Sequence, residues 1–246
     1  AMQQMTDVSK GDQSKDGQGK GDQNKDSAVN YHHGNLRLAL LDATVAQIKE
    51  VGVEKLSLRG IARIAGVSQT APYRHFKDKN ELLAEVATQA FIDLYQATSQ
   101  QLTPQRTTCK NIEATALAYV DFAIANPERY KLMFGPSIQN RRSYSNMLAA
   151  GERSFNVLIS QVEHGIEEGI FLNDCAMILA NTLWTQVHGI ASLIIDGFYQ
   201  NRELPMPFDE FLRIQISIAS RAIQINPTAY TASRIANKTD RQVRFD

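Results

Sequence analysis

The 246 residues suffice for two modest domains, and with 43% hydrophobic side chains and a formal net charge of zero the chain has ample material for a core and is not held open by its own repulsion. No run approaches about 18 consecutive apolar residues, and the opening AMQQMTDVSKGDQ lacks the apolar block of a secretory signal, so a cytoplasmic protein without membrane association is expected. The overall neutrality hides a division: residues 31–80 carry a net +4 and those from 81 onward a net −3, which suits only the first part to phosphate.

In chain order, residues 1–30 contain a near-repeat, KGDQSKDGQG followed by KGDQNKDSAV, with almost nothing apolar to bury; they read as a disordered low-complexity tail. GNLRLALLDATVAQIKEVG then places Leu36, Leu40, Ala43 and Ile48 near helical spacing, with Asn35 as cap and Gly52 as terminator. LSLRGIARIAGVS offers Ser57 as the cap of a short helix with Ile61, Ala62 and Ala65 on one face, ending at Gly66. After GVSQTAPYRHFKDK comes a long helix from Asn80, apolar at Leu82, Leu83, Val86, Ala90, Phe91, Leu94 and Tyr95.

Further helices are expected at about 107–125, from Pro127 to Phe134, and at about 144–168, 174–198 and 207–224, punctuated by Asn126-Pro127, Gly135-Pro136, Gly169, Gly197 and Pro205. RIQISIA alternates like a strand, but it lies in some fifteen residues without turn chemistry, which favours a helix. The fold class is therefore all-α. Cys109 and Cys175 lie far apart in apolar, helix-like surroundings with no ligand cluster near either, so both are expected as reduced core cysteines, with no metal and no cofactor.

Two short helices joined by Gly66-Val67-Ser68 fit a helix-turn-helix, whose second helix enters the major groove of double-stranded DNA. Gly66 supplies the positive φ of the turn, and Ser68 or Gln69 caps the second helix. Pro72 then falls in or beside the first turn, where a missing N–H costs little, and stiffens the start that presents Gln69, Thr70 and Ala71. Tyr73 suits a phosphate bond or a thymine methyl; Arg74 and His75 offer donors to phosphate or base. Lys79, at the entry of the next helix, has reach to the DNA backbone, and Ser57 and Arg59 complete the candidate DNA-binding set. The rival reading is an ordinary helical hairpin with Tyr73 and Phe76 in its core and its charges solvated.

LSLRGIARIAGVSQTAPYRHFKDKNELL resembles the DNA-binding signature of the TetR family of bacterial transcriptional regulators, met here by Ile61-Ala62, Ala65 to Ser68, Tyr73, His75-Phe76, Lys79 and Leu82. Pro72 departs from it, standing where an aliphatic residue is commoner. YHHGNLRLALLDA, NPERYKLMFG and LWTQVHGIASL resemble further parts of a subgroup whose C-terminal domain carries a Trp-x-x-x-His-Gly segment. The resemblance implies a homodimer, a small-molecule effector held inside the C-terminal helices, and release from the operator when that effector binds. It divides the chain into a helix-turn-helix domain at 31–80, an effector and dimerisation domain at 81–227, and a tail at 228–246.

Tyr130, Met133, Phe134, Phe155, Trp184 and His188 are the pocket candidates the resemblance suggests, each with core packing as its rival. The stretches 174–198 and 207–224 are apolar around more than one face, which suggests a twofold dimer. An architectural, non-inducible DNA binder would share the reading motif but pack its second domain solid. An α-helical enzyme would need a convergent acid, base or nucleophile, and Cys109, Cys175, His164 and His188 have no recognisable spacing for that.

Overall fold

The computed structural model describes residues 25–200 and 202–225, with side chains from Leu36 onward. The expected C-terminal tail and residues 1–24 of the expected N-terminal tail lie outside that range. The chain falls into two compact units, residues 1–38 and 39–246. Of the first, the described part is the opening of helix α1 (Lys25–Val51); the rest of α1 and every later helix belong to the second.

α1 starts ahead of Asn35, so Asn35 is not its cap, and it ends one residue before Gly52. Within 39–51, Leu40, Leu41, Ala43, Thr44, Gln47 and Ile48 are buried, the i, i+3, i+4 stripe of a helix with one inward face. α2 (Leu58–Ile64) starts at Ser57, whose Oγ accepts from the Gly60 N–H. Gln47 fastens it to α1 by accepting the Ser57 N–H through Oε1 at 3.2 Å.

α3 (Lys79–Ser99) is capped by Asp78, which accepts the Glu81 N–H at 2.8 Å, while the Glu81 carboxylate accepts the Lys77 N–H at 2.5 Å. The first bond satisfies an orphan donor of the helix start, and the second ties down the residue ahead of the cap. α4 (Thr108–Ala125), α5 (Pro127–Phe134), α6 (Ser145–Glu167), α7 (Ala176–Ile195) and α8 (Phe208–Ala222) follow. α3 packs on α4, α5 and α6, while α4 also packs on α7 and α8. Among the described residues no strand forms; one isolated bridge joins Phe171 to Gln224, so RIQISIA is helical within α8.

The core at the far end of the bundle gathers Ile112, Val162, Phe171, Leu179, Leu183 and Ile223. Phe171 is fully buried and its ring lies directly over Gly165, where an added Cβ would sit 2.2 Å from Cδ2 and Cε2. Only hydrogen on that α-carbon lets α6 and the following loop close. α7 is long and apolar enough to cross a membrane by composition, but Leu179, Ala180, Leu183, Val187, Ile190 and Ala191 are buried within the bundle, as in an interior helix. Cys109 is half-buried and accepts from the Gln224 amide at 3.3 Å, whereas Cys175 is exposed, not in the core: it stands at the N-cap of α7, ahead of the first turn that faces inward.

Candidate functional site

At the amino-terminal end of the second unit, Gly66 has φ +68°, the left-handed region that the turn needs and glycine enters without strain. Beyond it the chain departs from the expected helix. Residues 68–76 form successive turns, with the N–H groups of Ala71, Arg74, His75 and Phe76 bonded to Ser68, Ala71, Pro72 and Pro72 carbonyls. Only Pro72–Arg74 is regular, as a single 3-10 turn with Pro72 at its start and no side-chain cap from Ser68 or Gln69. Pro72 has no N–H for the Ser68 carbonyl.

The turn sorts the candidates by exposure. Ser68, Gln69, Thr70, Tyr73 and Arg74 are exposed, Tyr73 by 56%. Ser57 and Arg59 are exposed at the start of α2, with Arg63 one turn on. His75 is half-buried against Phe76. Ala71, expected to be presented to DNA, is instead buried, as are Pro72 and Phe76, because the turn directs that side inward under α2. Lys79 also differs from its expected partner: its ammonium donates to the Val53 carbonyl at 2.6 Å and the Glu54 carbonyl at 3.3 Å. It binds α3 to the end of α1.

The second feature is a cavity of about 380 Å³ enclosed by α3 to α8, within the range of small-molecule sites. Its walls are mostly apolar: Phe91, Leu94, Ile112, Phe155, Leu158 and Val187 among them. Phe134, Phe155 and Trp184 of the expected pocket residues line it; Tyr130, Met133 and His188 do not, and lie behind the wall. Thr98 and Thr115 also face it, but their hydroxyls are satisfied by their own helices, donating to Leu94 and Asn111 carbonyls at 2.9 and 2.8 Å. Ser220 is different: 1% exposed, on the wall, its Oγ has no partner among the described residues.

Trp184 and His188, one turn apart on α7, bracket a buried chain of hydroxyls. The Trp184 Nε1–H donates to Tyr119 at 3.3 Å, Tyr119 and Tyr130 oxygens are 3.0 Å apart, and Tyr130 is 2.6 Å from His188 Nδ1. Tyr119 itself lies 3.1 Å from Nδ1, so the two hydroxyls and that nitrogen form a closed triangle into which Trp184 donates. Burial pushes the His188 pKa down and that of Tyr130 up to about 12, and raises Tyr119 further. The cluster is uncharged at neutral pH. Through Tyr119 and Trp184 it backs the cavity.

A third feature joins these two. Asn80, in the first turn of α3, donates from Nδ2 to the Gln139 carbonyl at 2.8 Å and to the Tyr144 hydroxyl at 2.7 Å, and accepts the Gln139 N–H at 2.9 Å. The segment it holds, between α5 and α6, carries Arg141, which lines the cavity and donates to the carbonyls of Leu132, Met133 and Gly135 at the end of α5. Sequence reasoning missed Asn80, Tyr119, Arg141 and Ser220; the one available signal was Ser220, a small polar residue on the apolar side of α8. Among the described residues no group of three His, Cys, Asp or Glu side chains has the arrangement of a metal site.

Residues 40–86 match the family model described as bacterial regulatory proteins, tetR family, and residues 112–218 match that described as tetracyclin repressor-like, C-terminal domain. The HTH-type transcriptional regulator BetI of Yersinia pestis (strain Pestoides F) is 29% identical over 136 residues, covering 48% of this chain and 67% of BetI. A solved protein of unknown function from Rhodococcus sp. RHA1 is 31% identical with a TM-score of 0.65, covering 78% of this chain and 97% of that one. A TetR family transcription regulator from Marinobacter aquaeolei VT8 has a TM-score of 0.64 at 17% identity, covering 80% of this chain and all of its own (100%), a likeness of fold alone. Family matches in both halves make the chain a member of the TetR family of helix-turn-helix transcriptional regulators.

Proposed function

We propose that the protein is a cytoplasmic repressor that binds a palindromic operator as a homodimer and leaves it when a small, mostly apolar molecule enters the cavity. Residues 31–80 serve as the DNA-binding part and 81–227 as the effector and dimerisation part. The observation that carries this reading is the cavity, because a solidly packed second domain would favour the non-inducible alternative. The Asn80 bonds supply a physical connection from the cavity's rim to the reading turn. Support for the dimer comes from apolar side chains left outward on the last helices, Met177 and Ile178 on α7 and Ile214 and Ile218 on α8, with Ile178 59% exposed.

In the DNA complex, Gln69 and Tyr73 are the groups that touch the groove and its backbone, with Arg59 and Arg74 on phosphate and Ser57, Ser68, Thr70 and His75 in support. DNA selected by the purified protein supplies the cognate site. On it, Gln69→Ala is expected to cost about 1–3 kcal/mol while leaving binding to unrelated DNA unchanged, and Tyr73→Ala to weaken binding to every sequence. Titration of both variants against cognate and scrambled duplexes checks this. Parent-like affinity of both on the cognate duplex rules out the turn as the reader. A sedimentation run that finds one monomer on an asymmetric site rules out the dimer.

A further inference from the structure

Two polar groups on the cavity wall are left with unused hydrogen-bonding capacity. Ser220 Oγ, 1% exposed, has no partner among the described residues, and a buried hydroxyl left unpaired is costly. Arg141 is the other. Its guanidinium has five N–H donors, of which both on Nη1 and one on Nη2 go to carbonyls at the end of α5. The second Nη2–H and the Nε–H have no partner among the described residues. No carboxylate there pairs with Arg141, and Glu152 on the same wall is exposed and forms no ion pair with it. Burial lowers the Arg141 pKa with no acidic group acting against it.

The two groups stand at opposite ends of the cavity. Arg141 lies in the turn that leads into α6, near Met147, whereas Ser220 follows Ala219, which belongs to the far core with Ile112, Val162 and the flanking Leu158. Met147 and Leu158 both line the cavity on α6; at 1.5 Å per residue they are about 16 Å apart along the helix. Between the ends the wall is mostly apolar and aromatic, the hydroxyls of Thr98 and Thr115 being already bonded within their own helices. A largely apolar cavity that has, among the described residues, a cation without a counter-charge toward one end and an unpaired hydroxyl toward the other defines a ligand class.

We propose that the effector is an elongated apolar monocarboxylate, its carboxylate received by the unused edge of Arg141 and its far end bearing an oxygen that bonds Ser220. The proposal rests on the effector-controlled reading above. A carboxylate takes two parallel N–H donors in plane, the geometry the Nε and Nη2 edge presents. Drawing Arg141 toward the cavity also competes with its bonds to the end of α5, on the segment that Asn80 holds.

The probes are decanoic acid, 1-decanol and 10-hydroxydecanoic acid, titrated into the full chain while Trp184 fluorescence is followed, with operator release measured in parallel. Decanoic acid should bind at least tenfold more tightly than 1-decanol, and Arg141→Gln should erase the difference. The hydroxy acid should gain a further several-fold, and Ser220→Ala should remove that gain. Equal binding of acid and alcohol overturns the proposal, and if both still release the operator the effector reading survives without it. The expected order of affinities with the operator still bound keeps the proposal and sinks the release reading. Absence of binding by all three overturns the proposal. Should Arg141→Gln melt early, the acid-to-alcohol ratio in the parent chain remains decisive.

Discussion

Gly165→Ala is expected to destabilise the protein by about 3 kcal/mol, the upper part of the range for overpacking a core. The added methyl would stand 2.2 Å from two carbons of the Phe171 ring and 3.1 Å from a third, and the ring has nowhere to go. It is fully buried, its own N–H is bonded to the Gly165 carbonyl at 3.0 Å, and its neighbours are tied to the end of α8 through Leu172 N–H to Ile223 and Ile225 N–H to Ile170, both 2.9 Å. For a chain of this size the midpoint of thermal unfolding should fall by roughly 6–12 °C. Phe171→Leu in the same background should recover part of the loss, giving a double-mutant cycle with a clear interaction energy. The same core forms the far wall of the cavity, so the variant should also bind effector less well. A melting point within about 2 °C of the parent would falsify the close approach of α6 to the loop after it.

Asn80→Ala is expected to separate effector binding from operator release. The three hydrogen bonds of Asn80 hold the start of α3 to the segment between α5 and α6, and α3 starts where Lys79 holds the end of α1. A ligand acts on DNA only through a difference in affinity for two arrangements, and coupling of this kind is typically about 5- to 150-fold. The variant should bind effector as the parent does and should bind the operator, yet the effector should change its operator affinity by less than about twofold, a loss of most of the coupling. Asn80→Asp retains the acceptor for the Gln139 N–H but not the two donors, and should fall between. Since coupling is reciprocal, adding operator should no longer alter the variant's effector affinity. Full release of Asn80→Ala by effector would assign transmission to another contact.

Much of the fold was legible in the sequence. The spans of α4 to α8 follow the reading within two residues or so at most ends, because Asn126-Pro127, Gly135-Pro136, Gly169 and Gly197 interrupt the helical pattern with local chemistry. The cap at Ser57 and the positive φ at Gly66 were legible for the same reason. The form of the reading turn was not. Pro72 makes no bond to the Ser68 carbonyl whether it stands in the first turn of an α-helix or opens a 3-10 turn, so its presence did not decide between them, and that local choice also decides that Ala71 is buried.

The cavity was the least legible part, for a different reason. Periodicity tells which face of a helix turns inward, but a void arises where inward faces from several helices fail to meet, a property of their joint spacing. Tyr130 and His188 therefore read as equal in standing to Trp184, although only Trp184 reaches the void and Tyr119, on another helix, separates it from them. Asn80 and Arg141 gave no signal because their partners, Gln139 and Tyr144 for one and the end of α5 for the other, are set by the path of an irregular segment. Asn140 in that segment takes φ +49°, a turn no periodicity announces.

The brevity of the reading turn has a consequence for how tightly DNA is held. A full helix aligns many peptide dipoles and gathers partial positive charge at its start, which assists in gripping phosphate; three residues of 3-10 turn align almost none. On the proposed reading the grip comes from side-chain cations, and Arg59, Arg63, Arg74 and Lys77 are exposed around the turn. Each cation that settles on a phosphate frees close to one condensed counterion. If the protein binds as the proposed dimer with four such contacts per copy, the logarithm of affinity should fall against the logarithm of salt concentration with a slope as steep as about −7. On the proposed reading, a rise in ionic strength alone would loosen the protein from its DNA with its cavity empty.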